Sequence, residues 1–244
     1  MGKDGGMAGM ALLHLCDSLF PVGAFAYSDG LETATGRLPP SPGAWSGPVV
    51  ADAEGLRAWI DVCLDETFGR TDGPAVWLAW PAFRDADWET LVTLDEELTA
   101  LRPSSSGRRA SAAMGRRLLT TWQTLHPDPR IGQALNEQGV VPLFRDGPAL
   151  PIAFAAACAC SGIERRRAVE AFAYTRLAAT ISAAMRLMPI GQTAAHALLA
   201  RTLERVPAVV NLVASRDARL ESFTPAVDIA AMTQQYLHSR LFRS

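Results

Sequence analysis

No segment of this chain alternates apolar and polar residues with the period of two that a half-buried strand requires. Its apolar residues recur instead every three or four positions, as in Val169, Ala173, Leu177, Ile181, Ala184 and Met188, the spacing that lays one stripe along a helix. Alanine, the residue that loses least on entering a helix, supplies roughly one residue in six. These features predict an all-α fold, a single-domain bundle of about ten helices. At 244 residues the chain is long enough to bury one sizeable core.

Prolines and glycines punctuate the pattern. Helices are predicted over residues 10–19, 51–68, 74–83, 88–101, 108–125, 151–161, 164–187, 192–206 and 224–236. Thr224 and Pro225 suit a cap and first turn for the last of these. Asp29, followed three residues later by Glu32, resembles a capping box opening one further short helix. Residues 36–48 form a Pro-rich loop, and residues 127–148 are broken by Pro and Gly. A disordered, Gly-rich leader at 1–9 is expected to precede the helical domain at 10–236, and 237–244 form a C-terminal tail.

One count excludes several chemistries. Of 23 basic residues only Lys3 is a lysine, and it stands in the leader. A phosphate-binding loop needs a lysine to reach the β/γ-phosphates, and Schiff-base chemistry needs one as nucleophile. The formal charge of −2 gives no uniform basic excess for nucleic acid. Cys16, Cys63, Cys158 and Cys160 form no CxxC pair, and a helix over the last two points their thiols apart. They read as packing groups. The four histidines, His14, His126, His196 and His238, show no metal-binding spacing. The longest uncharged apolar stretch, 149–162, is shorter than the ~20 residues that span a bilayer. The expected compartment is the cytoplasm.

Several candidates remain. Ala26-Tyr27-Ser28-Asp29-Gly30 resembles a nucleophile elbow with its first Gly replaced by Ala, the basis for an alternative reading as a serine hydrolase using Ser28. Its histidine partner would be His126, His196 or His238, and no strand-rich region exists to carry the elbow. The basic helix over 108–125 admits a DNA-binding regulator, without an obvious helix-turn-helix partner. Asp95, Glu96 and Glu97 read as a solvated face. Arg165, Arg166 and Arg167 open a helix where the macrodipole disfavours cations, which fits a partner-facing or plainly solvated surface. In the segment 21–28, Phe25 and Tyr27 sit on a Pro/Gly turn, suited either to a protein–protein anchor or to a buried helix corner.

The run from Leu12-Leu13-His14-Leu15 through Phe20-Pro21-Val22-Gly23-Ala24-Phe25-Ala26-Tyr27-Ser28-Asp29-Gly30-Leu31-Glu32 resembles the opening signature of the urease accessory protein family UreF. Met114-Gly115-Arg116-Arg117-Leu118-Leu119, Arg186-Leu187-Met188-Pro189-Ile190-Gly191-Gln192 and Ser239-Arg240-Leu241-Phe242-Arg243-Ser244 resemble three further family blocks, in the family's order. The resemblance implies a helical, homodimeric, non-enzymatic protein without a cofactor of its own. Such a protein acts with UreD (also called UreH) and the GTPase UreG to deliver nickel to apo-urease. It further implies a UreG-facing surface at Phe25, Tyr27, Glu32, Arg186 and Gln192, a dimer contact near Tyr174, and a UreD-facing tail at Arg240, Leu241, Phe242 and Arg243 that orders on docking. No metal ligand is expected on this chain, and nickel is handled by the assembled complex.

Overall fold

A computed structural model of the chain describes residues 3–23, 27–36, 50–136, 143–216, 219–238 and 240–242, and among these every regular element is helical. In order they are α1 (Lys3–Cys16), α2 (Leu31–Ala34), α3 (Ala53–Val62), a π-helical segment (Cys63–Asp72), α4 (Gly73–Arg84), α5 (Trp88–Ala100), α6 (Ser105–Leu125), α7 (Pro129–Ala134), α8 (Leu150–Cys160), α9 (Arg165–Leu187), α10 (Gln192–Leu203), α11 (Val206–Ser215), α12 (Pro225–Thr233) and a closing 3-10 turn (Gln234–Tyr236). Beyond Gly36, the predicted loop at 36–48 lies outside the described residues. α1 starts at Lys3 rather than at residue 10, because Ala8, Ala11 and Leu12 pack on the core and extending a formed helix is cheap.

The bundle is organised around α8. From Leu150 to Cys158 every residue of this helix is buried, so it has no face to show to water and must be walled on all sides. α4, α6 and α9 supply the walls. Burying Ile152 and Phe154 is worth about 1.5–3 kcal/mol each. The start of α8 lacks a capping side chain of its own, and its amides still need acceptors. Neighbouring helices provide them: Ala149 N–H donates to Asp95 Oδ1 at 2.7 Å, and Leu150 N–H donates to Ser111 Oγ at 3.0 Å. Asp95 is therefore turned inward, away from the solvated acidic face expected of it. Burial pushes its carboxyl up to about 6 from the usual 3.8.

Two prolines leave helical carbonyls without a donor, and both gaps are repaired from elsewhere in the chain. Helices predicted separately over 51–68 and 74–83 run on as α3, the π-helical segment and α4. Pro74 has no N–H to give the carbonyl of Arg70; the N–H of Glu221 donates to that carbonyl at 3.0 Å, and the Thr71 hydroxyl donates to the carbonyl of Glu221. Pro81, inside α4, leaves the carbonyl of Trp77 without its helical donor. Arg165 Nε donates to it at 2.6 Å, while the guanidinium lies 3.8 Å from the Trp77 ring centre. Arg166 and Arg167 reach Glu170 at 3.0 and 3.6 Å. The arginine run that opens α9 is thus used within the chain, in part to mend α4.

α6 can lie this close to α8 because of Gly115. A Cβ there would stand 2.0 Å from the carbonyl oxygen of Pro148, backbone that cannot swing aside as a side chain can. Gly115→Ala is expected to lower stability by about 1–3 kcal/mol through overpacking, although alanine is the better helix former. Urea denaturation checks it; a midpoint equal to or above the parent's contradicts the account.

Candidate interaction surface

The signature segment is built as a chain of tight turns. Leu19 N–H donates to Asp17 Oδ1 at 2.7 Å, and Val22 N–H donates to the carbonyl of Phe20 at 2.7 Å. Gly23 follows with φ +83, its α-carbon facing Arg117: a Cβ would meet Nη1 at 2.7 Å. Phe25 lies outside the described residues. Asp29 and Gly30 are both left-handed, with φ 48 and 88, a conformation that favours glycine. Gly30 is further required by packing, because a Cβ there would stand 2.7 Å from the backbone nitrogen of Ala231 in α12. The sharp turn thus seats the last helix against the first signature.

This geometry replaces the predicted capping box. α2 begins after Gly30 with no side-chain cap. Asp29 pairs instead with Arg176 of α9, and its charge raises the pKa of that guanidinium. Glu32 is 3% exposed and faces inward. One carboxylate oxygen accepts from Leu241 N–H at 2.6 Å; the other accepts from Phe242 N–H at 3.3 Å and from Gln234 Nε2 at 3.2 Å. Buried carboxylates are tolerated when donors surround them in this way. Gln234 completes the arrangement: its Oε1 accepts from Gly30 N–H at 3.1 Å and its Nε2 donates to Ser28 Oγ at 2.9 Å.

Two further consequences follow from these contacts. The Ser28 hydroxyl is buried and engaged by Gln234, and among the described residues no strand leads into the turn. Nothing in this arrangement supports the serine hydrolase reading. The tail, meanwhile, lies on its own domain. Phe242 is 4% exposed, with the Arg186 guanidinium carbon 4.3 Å from its ring centre, a cation–π contact. Leu241 and Arg240 remain exposed, and Arg243 lies outside the described residues. Tyr27 is half-buried. Arg186 thus covers the buried Phe242, and Glu32 lies beneath them as the bracket that holds the tail.

Gln192 is exposed at the start of α10, after the Pro189–Gly191 turn. Tyr174 stands apart: twelve residues from Arg186 on α9, it is separated by roughly 18 Å of helix. It borders an apolar groove lined by Leu12, Leu13, Phe20 and Ala178, and both it and Leu13 are exposed. Sequence reasoning missed Gln234 and Arg176, which hold the turn; neither lies in a motif, and only the return of α12 and α9 to the turn reveals them. Burial pushes the thiols of Cys16, Cys63 and Cys160 up to about 11, 12 and 12, keeping them protonated near neutral pH. His126 packs tilted against Trp122 with ring centres 4.4 Å apart, and His14 meets Phe20 edge-on at 5.4 Å. Among the described residues no group of three His, Cys, Asp or Glu is placed to hold a metal, and no helix is long and apolar enough to cross a membrane.

Glu32→Ala removes the acceptors of two tail amides and is expected to free the tail. Trypsin cleavage after Arg240 should then quicken by roughly tenfold or more, while the global unfolding free energy falls by no more than about 2–3 kcal/mol. Unchanged cleavage would contradict the bracket role.

The chain is similar to known proteins over nearly all of its length. A family model described as UreF matches residues 50–203. A urease accessory protein UreF from Azoarcus sp. (strain BH72) is 32% identical over 234 residues, covering 96% of this chain and 94% of the relative. One from Methylorubrum populi is 32% identical over 237 residues, covering 96% and 98%. One from Polaromonas sp. is 29% identical over 236 residues, covering 96% and 94%.

Proposed function

The chain belongs to the UreF family of urease accessory proteins, and from that premise we propose that it is a non-enzymatic cytoplasmic scaffold, homodimeric, that bridges UreD/UreH and the GTPase UreG so that nickel is delivered to apo-urease. One observation carries the reading: Arg186, assigned to the UreG-facing surface, lies on Phe242 of the tail assigned to UreD, and the buried Glu32 beneath them holds the Leu241 and Phe242 amides. Two partner surfaces that share side chains are energetically linked, because binding at one changes the free energy of the other. Coupling of this kind is typically about 1–3 kcal/mol and needs no bond chemistry on the scaffold.

Each partner has a surface suited to it. Tyr27, Arg186 and Gln192 are the described residues proposed to meet UreG, supplying aromatic, guanidinium and amide groups; Phe25, proposed with them, lies outside the described residues. Arg240, Leu241, Phe242 and Arg243 offer UreD a short apolar segment flanked by arginines. The groove between α1 and α9, with Leu13 and Tyr174 at its edge, suits a second copy of the chain, since exposed apolar grooves mark contact sites. Nickel enters this scheme as cargo, and the nucleotide is UreG's.

The test is co-purification of UreD and UreG with the full chain, with a chain truncated before Ser239, and with Arg186→Ala. Truncation is expected to lose UreD, and Arg186→Ala to lose UreG while UreD is retained. Equal recovery of both partners with all three chains would overturn the reading.

A further inference from the structure

Nine arginines are neutralised where they stand: Arg57, Arg70, Arg84, Arg102, Arg130, Arg166, Arg167, Arg176 and Arg205 each meet a carboxylate. α6 is different. Its sequence, SSGRRASAAMGRRLLTTWQTL, contains Arg108, Arg109, Arg116 and Arg117 and neither Asp nor Glu. Arg108 is used locally, donating to the carbonyls of Arg102 and Pro103 at 2.7 and 3.1 Å. Arg109, Arg116 and Arg117 are exposed, and none of them has an ion pair or hydrogen bond to a described residue.

The three are grouped rather than scattered. Arg109 and Arg116 are seven residues apart, hence on one side of the helix about 10 Å from each other, with Arg117 adjoining. Between and beyond them the exposed positions are Ala113 and Thr120, too small to screen the charges. Gly147 lies on the Arg116 side chain, where a Cβ would meet that of Arg116 at 2.8 Å. It brings with it Arg145, also exposed and with no carboxylate partner among the described residues, next to the exposed Asp146. The face is therefore strongly positive on a chain whose formal charge is −2. Arg108 and Arg109 also stand near the positive end of the α6 dipole, where cations are destabilising. Stability alone would favour neutral or acidic residues there.

We propose that the outer face of α6 is a docking surface for an acidic segment of a partner protein, with Arg109, Arg116 and Arg117 as the charge-pairing residues. Guanidinium groups match carboxylates through paired hydrogen bonds. The patch is only about 10 Å long, which suits a few carboxylates. A duplex, with its long run of phosphates, would be repelled by the rest of a net-acidic surface. Arg117 also lies against Gly23 of the signature turn, so the face is continuous with the candidate interaction surface. The inference goes beyond the scaffold reading, and its test uses neither UreD nor UreG.

The experiment titrates a labelled short oligoglutamate peptide with the full chain at low salt, followed by fluorescence anisotropy. Arg109→Glu/Arg116→Glu is expected to weaken binding by roughly tenfold or more, and Arg201→Glu on α10 by less than about twofold. Raising salt to about 300 mM should weaken the parent in the same direction. Thermal melts followed by circular dichroism verify the fold; should the double glutamate variant fail to fold, Arg109→Gln/Arg116→Gln is read instead, with a loss of about fivefold. Parent-like binding by the α6 variant, an equal loss with Arg201→Glu, or tighter binding of a short DNA duplex than of the peptide would each overturn the proposal.

Discussion

A helix with no polar face can exist only where other helices enclose it, and α8 imposes that constraint on the whole chain. Its apolar run from Leu150 to Cys158 is buried throughout, so α4, α6 and α9 must close around it. Gly115 lets α6 approach backbone to backbone, and Asp95 and Ser111 satisfy the amides that open α8. Once α4 and α9 are held there, their own irregularities are mended by near neighbours. Arg165 of α9 takes the carbonyl that Pro81 leaves open in α4, and Glu221 takes the one left by Pro74.

From that frame the candidate interaction surface follows. α9 presents Arg176 to Asp29 and Arg186 to Phe242, so one long helix fixes both the signature turn and the tail. α12 returns to Gly30 closely enough that no side chain fits between, and Gln234, just beyond it, bonds Ser28, Gly30 and Glu32 together. The two ends of the chain thereby form one surface. Its residues hold one another by hydrogen bonds to a buried carboxylate, which weaken sharply if any donor is displaced.

Much of this architecture is legible in the sequence. The three-to-four spacing of apolar residues identifies the helices, and the four family blocks identify the family. What is not legible is long-range. Pro74 reads as a stop because its missing donor is a local fact, whereas the N–H of Glu221 comes from 147 residues further on in the chain. The pair Asp29 and Glu32 has the spacing of a capping box, yet each side chain finds a stronger partner on a distant element, Arg176 for one and the tail amides for the other. Asp95 is indistinguishable from Glu96 and Glu97 until α8 is placed beside it. In each case local propensity is overridden by a contact that only the packed bundle creates.

The central claim is that the signature turn holds the tail through Glu32, so that both ends of the chain make one surface. Amide hydrogen exchange at Leu241, compared between the parent and Gly30→Val, tests it most directly. The account predicts a protected Leu241 amide in the parent and free-chain exchange in the variant, with α8 protection kept in both. An unprotected Leu241 in the parent, or protection that survives Gly30→Val, would contradict it.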